Sequence, residues 1–215
     1  MKAILYVICL ISFSTFGQSK KVTESIPVTN EERLSLQFPF AQDIKIKTWD
    51  KKEVRIEVEV EINKGKNNDM FALKSSKTAS EIHVEMDEQV WEKVQSKTDC
   101  NSWSSTINYV VYMPANIELK ANSVSGNFEI TYFDSPVTLN TVAGEIDMTI
   151  SQQHSLDFSA RTLTGDIYSD IEIQSPEGKD GLKQIVGQTI KGRISEGGKK
   201  SELETISGHI YLRKG

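Results

Sequence analysis

Cysteine, histidine and long apolar runs are what this sequence has least of. There are two cysteines in 215 residues, and Cys9 falls inside the first apolar stretch. If that stretch is removed, Cys100 stands alone in the polar segment KTDCNSW. A secreted fold that relied on disulfides would carry an even set, so burial and backbone hydrogen bonds must hold this one. Cys100 has no histidine near it in sequence, so it reads as an incidental thiol rather than a nucleophile. The three histidines, His83, His154 and His209, show no ligand spacing and no H-E-x-x-H pattern, so neither a metal nor a cofactor is expected. No apolar run reaches the ~20 residues of a spanning helix, which excludes a transmembrane helix. The net charge of −5 disfavours nucleic acid and anionic membrane as partners.

What is present begins with MKAILYVICLISFSTFGQSKK. One lysine, an apolar stretch from Ala3 to Ile11 and then small residues form the layout of a secretory signal peptide. Cleavage is expected near Gly17–Gln18. Cys9 lies within the apolar core, with too little hydrophobic chain before it for a lipoprotein cysteine. Residues 1–17 are therefore expected to be a signal peptide and 18–34 an N-terminal extension. Residues 35–121 should form an N-terminal β region, and 122–215 a glycine-centred repeat. The expected location is the periplasm or the cell surface.

Helical periodicity is nearly absent, and strand periodicity is widespread. In EVRIEVEVEI, 53–62, Val54, Ile56, Val58, Val60 and Ile62 alternate with charged residues, the period-two pattern of a half-buried strand. DIKIKTW, 43–49, alternates likewise, and TWDKKEV reads as the turn of a hairpin over 43–62. EIHVEM, TINYVVYMP (stopped by Pro114) and NIELKAN read as further strands, with a loop at NKGKNND. Residues 87–105 have no clear pattern.

From residue 122 one phrase recurs: SVSGNFEI, TVAGEIDM, TLTGDIYS, TIKGRISE and TISGHIYL. It centres on Gly126, Gly144, Gly165, Gly192 and Gly208, at spacings of 18, 21, 27 and 16 residues. Repeats of this length point to stacked architectures. Read as continuous strand, positions −2, 0 and +2 share the inward face. That places Val124, Val142, Leu163, Ile190 and Ile206 inside, together with Phe128, Ile146, Ile167, Ile194 and Ile210. The Ser/Thr at −3 would then form an external hydroxyl ladder. A glycine within a strand implies either a bend or a layer passing too close for a Cβ. No helix follows any of these glycines, which excludes a phosphate cradle. The expected fold class is all-β, a β-solenoid with an N-terminal β-hairpin region. Each phrase would be one rung at about 4.8 Å, giving a stack of roughly 20–25 Å.

The hairpin segment DIKIKTWDKKEVRIEVEVEI and the stretch YVVYMPANIELKANSVSGNFEI resemble the bacterial putative-adhesin family of β-strand repeat proteins. That family is a toast-rack-like domain of unknown function. The resemblance covers roughly residues 35–215, departing from the family in a longer 87–105 segment and an insertion at 174–184. It implies a β-solenoid in an exported envelope protein, with no catalytic motif to carry over.

Candidate surfaces follow. Trp91, Trp103, Tyr132 and Phe133 lie near expected turns and are candidate binding residues. Glu129, Glu145, Asp147, Asp166 and Asp170 form an acidic stripe, spread over separate rungs as in a solvated face rather than a calcium loop. The function expected is non-enzymatic recognition of an envelope protein or a glycan. A carbohydrate-active, polysaccharide lyase-like β-helix is the alternative, with Arg161, Arg193 and Asp166 as its candidates. A cleft that combines a cation with two carboxylates would favour that alternative.

Overall fold

A computed structural model describes residues 19–87, 89, 104–131, 133, 135–150, 155–171 and 187–215. Its strands in the first half are β1 (Lys20–Pro27), β2 (Arg33–Gln37), β3 (Asp43–Trp49), β4 (Glu53–Ile62), β5 (Leu73–Lys77), β6 (Glu81–Met86), β7 (Ser105–Pro114) and β8 (Glu118–Asn122). The second half supplies β9 (Asn127–Thr131), β10 (Val137–Thr141), β11 (Ile146–Ile150), β12 (Leu156–Thr162), β13 (Ile167–Ser169), β14 (Gln188–Ile194), β15 (Lys199–Thr205) and β16 (Ile210–Lys214). A three-residue 3-10 turn, Asn68–Met70, closes the expected loop at 63–69. The fold is all-β, as its alternating sequence requires. It consists of two open mixed sheets, sheet A in the order β1-β4-β7-β3-β9-β11-β16-β13 and sheet B in the order β14-β12-β15-β10-β8-β2-β6-β5. The inward residues of both sheets form one apolar cluster, from Leu34 and Val54 to Phe158 and Leu212.

The expected hairpin over 43–62 is not formed. Both strands exist, but β7 lies between them, parallel to β3 and antiparallel to β4. The turn Asp50–Lys52 therefore steps over one strand. Alternating apolar residues in β7, Ile107, Tyr109, Val111 and Met113, are all buried, and a ten-residue strand with that face pairs on both sides. Within the expected extension, β1 pairs antiparallel with β4 along Lys20–Pro27.

Four of the five glycine phrases turn corners. At Gly126, Gly144, Gly208 and Gly165 the chain leaves sheet B and enters sheet A. The corners do not stack in chain order. β15 lies between β10 and β12, and β16 between β11 and β13, so the last phrase sits between the second and third. Gly192 is not a corner. It lies within β14, antiparallel to β12 and opposite Phe158.

Because the phrase is a corner, the inward and outward assignment before each glycine is reversed. The −2 residues Val124, Val142, Leu163 and Ile206 are 38–48% exposed. The −3 residues Ser123, Thr141, Thr162 and Thr205 are buried. A bend breaks the period of two, so alternation cannot be carried through it. After the glycine alternation resumes, and Phe128, Ile146 and Ile210 are buried.

The hydroxyl ladder is therefore internal. The Ser123 hydroxyl donates to the Phe38 carbonyl (2.8 Å), Thr141 to Gly126 (3.2 Å), Thr205 to Gly144 (2.9 Å) and Thr162 to Gly208 (2.8 Å). Three of these oxygens also accept the N–H of their own corner glycine, Gly126, Gly144 and Gly165, at 2.9–3.2 Å. A Cβ on Gly144 would fall inside the Gly126 carbonyl, and one on Gly208 inside the Gly144 carbonyl. Close approach thus explains the glycines, and none of the four has a positive φ.

Side chains join the sheets at both open ends. From β5, at the edge of sheet B, the Lys77 ammonium reaches Glu31 (2.8 Å) and the Pro27 carbonyl of β1 (2.8 Å). At the other end the Gln188 side chain accepts from Ile167 N–H (2.9 Å) and donates to Asp166 (3.0 Å).

Two predictions follow from these contacts. Gly144→Ala should destabilise the protein by more than ~2 kcal/mol, because backbone must move to admit the methyl, while Glu145→Gln should stay within about ±0.5 kcal/mol. Thr205→Val, which leaves a buried carbonyl unpaired, should cost roughly 1–3 kcal/mol. Urea titration of the three variants is the check. The second concerns acid. The Lys77 ammonium, aided by Thr29, holds the Glu31 carboxyl down at about 2. A depressed folded-state value means this stabilisation is complete above the ordinary value of 4.5 and is lost as pH falls from there toward 2. Glu31→Gln should flatten the stability–pH curve in that window and leave its slope near neutrality unchanged.

Candidate binding surface

Parallel registration at the corners lines up equivalent residues across the stack. Backbone bonds run Val142 N–H to Val124 O (3.2 Å), Ser207 N–H to Val142 O (2.8 Å) and Thr164 N–H to Ile206 O (2.9 Å). These place Val124, Val142, Ile206 and Leu163 side by side in one row. Phe40 occupies the corresponding corner between β2 and β3, where Val124 N–H meets the Pro39 carbonyl (3.2 Å). The described residues contain six exposed large apolar side chains, and five of them form this row. The result is an aliphatic ridge on the outside of the corners.

The sixth, Tyr168, belongs to the outer face of sheet A. It stacks on Tyr211 of the neighbouring strand (centroids 5.3 Å apart, 12° between planes). His209 lies beside both rings, and its Nδ1 accepts the Asp166 N–H at 3.0 Å. The adjacent Asp166 carboxylate pushes the Tyr168 hydroxyl up from its ordinary range. The acidic stripe is dispersed on this face. Glu129 pairs with Lys45 (2.8 Å), Asp147 with Arg213 (2.7 Å) and Asp170 with the Lys214 N–H (2.7 Å). Among the described residues, no three histidine, cysteine or acidic side chains could hold a metal together.

The lyase candidates do not act as one group. Arg161 pairs with Glu204 (3.4 Å) and Arg193 with Asp157 (3.1 Å) on sheet B, while Asp166 accepts from Gln188 where the edges of the two sheets are joined. Arg193 and the Gly198 N–H hold the Asp157 carboxyl below its usual range. Over β12, β14 and β15 there is, however, an open concavity of about 610 Å³, lined among others by Arg161, Lys191, Glu202 and Glu204.

Of the four expected aromatic binding residues, Phe133 is buried in the core (3% exposed). That burial removes it from the surface. Trp91, Trp103 and Tyr132 lie outside the described residues, as do Cys100 and His154. Sequence reasoning missed the ridge because it placed the −2 residues inside. The signal was available in the Ser/Thr three residues before each corner glycine, since a hydroxyl at that spacing can cap a turn through backbone bonds.

No protein-family description matches the chain, and no curated protein is similar to it. Solved structures are. A "putative cell adhesion protein" from Clostridium sporogenes superimposes with a TM-score of 0.56 at 12% identity, covering 92% of this chain and 100% of that one. A "putative adhesin" from Bacteroides fragilis matches over 93% and 99% of the two chains at 8% identity, with a TM-score of 0.26. The first likeness establishes a shared fold. No described helix is long and apolar enough to cross a membrane.

Proposed function

We propose that this chain is a non-enzymatic binding module of an exported protein, and that its corner ridge docks a partner in the cell envelope. In this reading the leader is removed near Gly17–Gln18, and the stacked corners act as a short β-solenoid. The observation that carries the proposal is the row Phe40, Val124, Val142, Ile206 and Leu163. Five of the six exposed large apolar side chains among the described residues stand in one line, which is the mark of an interaction site. An aliphatic ridge matches an apolar groove in a protein better than it matches a sugar. The similarity in fold to a protein described as adhesive agrees with this reading.

A second reading draws on the sheet B concavity, which combines two cations with two carboxylates. An eliminating lyase needs a cation on the substrate carboxylate and a free base. Here Arg161 lies against Glu204, and Lys200 forms a close ion pair with Glu202. Both carboxylates are thus engaged by cations on the sheet, which favours binding over turnover.

Two measurements test the proposal. Mass spectrometry of the native protein should find an amino terminus near Gln18, and a mature protein that retains Met1 would refute export by cleavage. The double variant Val142→Glu/Ile206→Glu should keep its circular dichroism and lose at least about tenfold in affinity for an envelope preparation, as expected for charges placed in a docked apolar row. Unchanged affinity would reject the ridge. Turnover of polysaccharide substrates that disappears in Arg161→Ala would establish the lyase reading instead.

A further inference from the structure

The register of sheet A sorts its outward side chains into rows that run across the strands. In one row Arg55 of β4 stands opposite Tyr112 of β7, and Tyr112 opposite Lys47 of β3. The row continues through Thr131, Thr149 and Arg213. Five strand steps at 4.7–4.9 Å make it roughly 24 Å long. The neighbouring row runs through Glu57, Val110, Lys45, Glu129, Asp147 and Tyr211.

The cations at the start of the row are held in an unusual way. Trp49 stacks on Tyr112 (centroids 5.2 Å apart), and its indole N–H is tied to the Glu53 carbonyl (2.8 Å). Lys51 lies 4.6 Å from the indole centroid, Arg55 lies 5.4 Å from it, and Lys47 is 5.9 Å from the Tyr112 ring. Among the described residues neither Lys47 nor Lys51 has a carboxylate within ion-pair distance. Arg55 reaches Glu53 and Glu57 only at 3.9 and 3.8 Å. Elsewhere on this face Lys45 and Arg213 are neutralised at 2.7–2.8 Å. A π face orders a cation without cancelling its charge. The entropy of ordering is thereby spent before any anion arrives.

We propose that this row binds an acidic polysaccharide, with Lys47, Lys51 and Arg55 receiving its carboxylates and Thr131 and Thr149 facing its hydroxyls. The row crosses six strands, which suits a polymer that makes repeated contacts. Glu129 and Asp147 of the neighbouring row are taken up by Lys45 and Arg213, so the uncancelled charge is confined to Lys47, Lys51 and Arg55 at one end. Three such cations match a chain of modest charge density better than a dense polyanion such as duplex nucleic acid. The inference is independent of the ridge, which lies at the corners.

The test uses the mature chain with polygalacturonate, neutral dextran and oligothymidylate in calorimetric titrations at low and raised salt. Polygalacturonate should bind, weakening by about tenfold or more as salt screens the contacts, and dextran should not. Lys47→Ala/Lys51→Ala should reduce polygalacturonate affinity by at least about tenfold with circular dichroism unchanged. Trp49→Leu should weaken it less, through loss of positioning, and Val142→Glu/Ile206→Glu should leave it intact. The proposal is overturned by absence of polygalacturonate binding, by binding that is insensitive to the lysine pair, or by oligothymidylate binding equally well through the same lysines.

Discussion

The arrangement of this molecule depends on how closely one backbone can pass another at a corner. Three corner glycines, Gly144, Gly208 and Gly165, lie against the carbonyls of Gly126, Gly144 and Gly208, and a buried Thr hydroxyl bonds each of those carbonyls. Both features act together. Without the glycine the rungs could not close up, and without the hydroxyl a buried carbonyl would face an apolar interior unpaired. Closed corners fix the register of the strands that leave them, and register fixes which side chains share an outward row. The ridge at the corners and the cation row on sheet A are two products of the same spacing.

This dependence explains what could be read from the sequence. Strand character was legible wherever alternation was unbroken, as in β4, where Val54 to Ile62 are buried as their period requires. Faces were legible after each glycine, where the chain is again straight. They were misread before it, because the strand ends at Thr141 and the bend begins at Val142, so the period of two cannot be carried across from one to the other. Gly192 carries the same letters as the corners. It differs only in lying mid-strand against Phe158, a property of its partner rather than of its own segment. Pairing was the least legible feature. Nothing local in 43–62 reveals that β7, more than forty residues on, will separate the two strands.

The same limit applies to function. Lys47, Trp49, Lys51 and Arg55 are close in sequence and look like an ordinary charged turn. Their meaning depends on Tyr112, which the register of β7 inserts between Arg55 and Lys47. The aromatic residues that drew attention in the sequence include Phe133, which is buried in the core. Burial is a strong expectation for a lone phenylalanine, and nothing in its neighbours opposed it.

The position of the last rung bears on how the fold holds together. In a simple stack each repeat touches its chain neighbours, and stability adds along the array. Here β15 and β16 enter between rungs that precede them in sequence. β10 contacts β15 across some sixty residues of chain, with Thr141 opposite Thr205. Until that insertion, β12 has only its antiparallel partner β14, and the edges of β10 and β11 are open. Closing a long loop costs entropy that no contact returns until the loop is closed. The last strands therefore act as a wedge that joins the halves, and removing them would open both sheets in the middle. The internal Thr205–Gly144 bond lies at that junction, where it adds to the parallel ladders of β15 with β10 and of β16 with β11 that join parts of the chain distant in sequence.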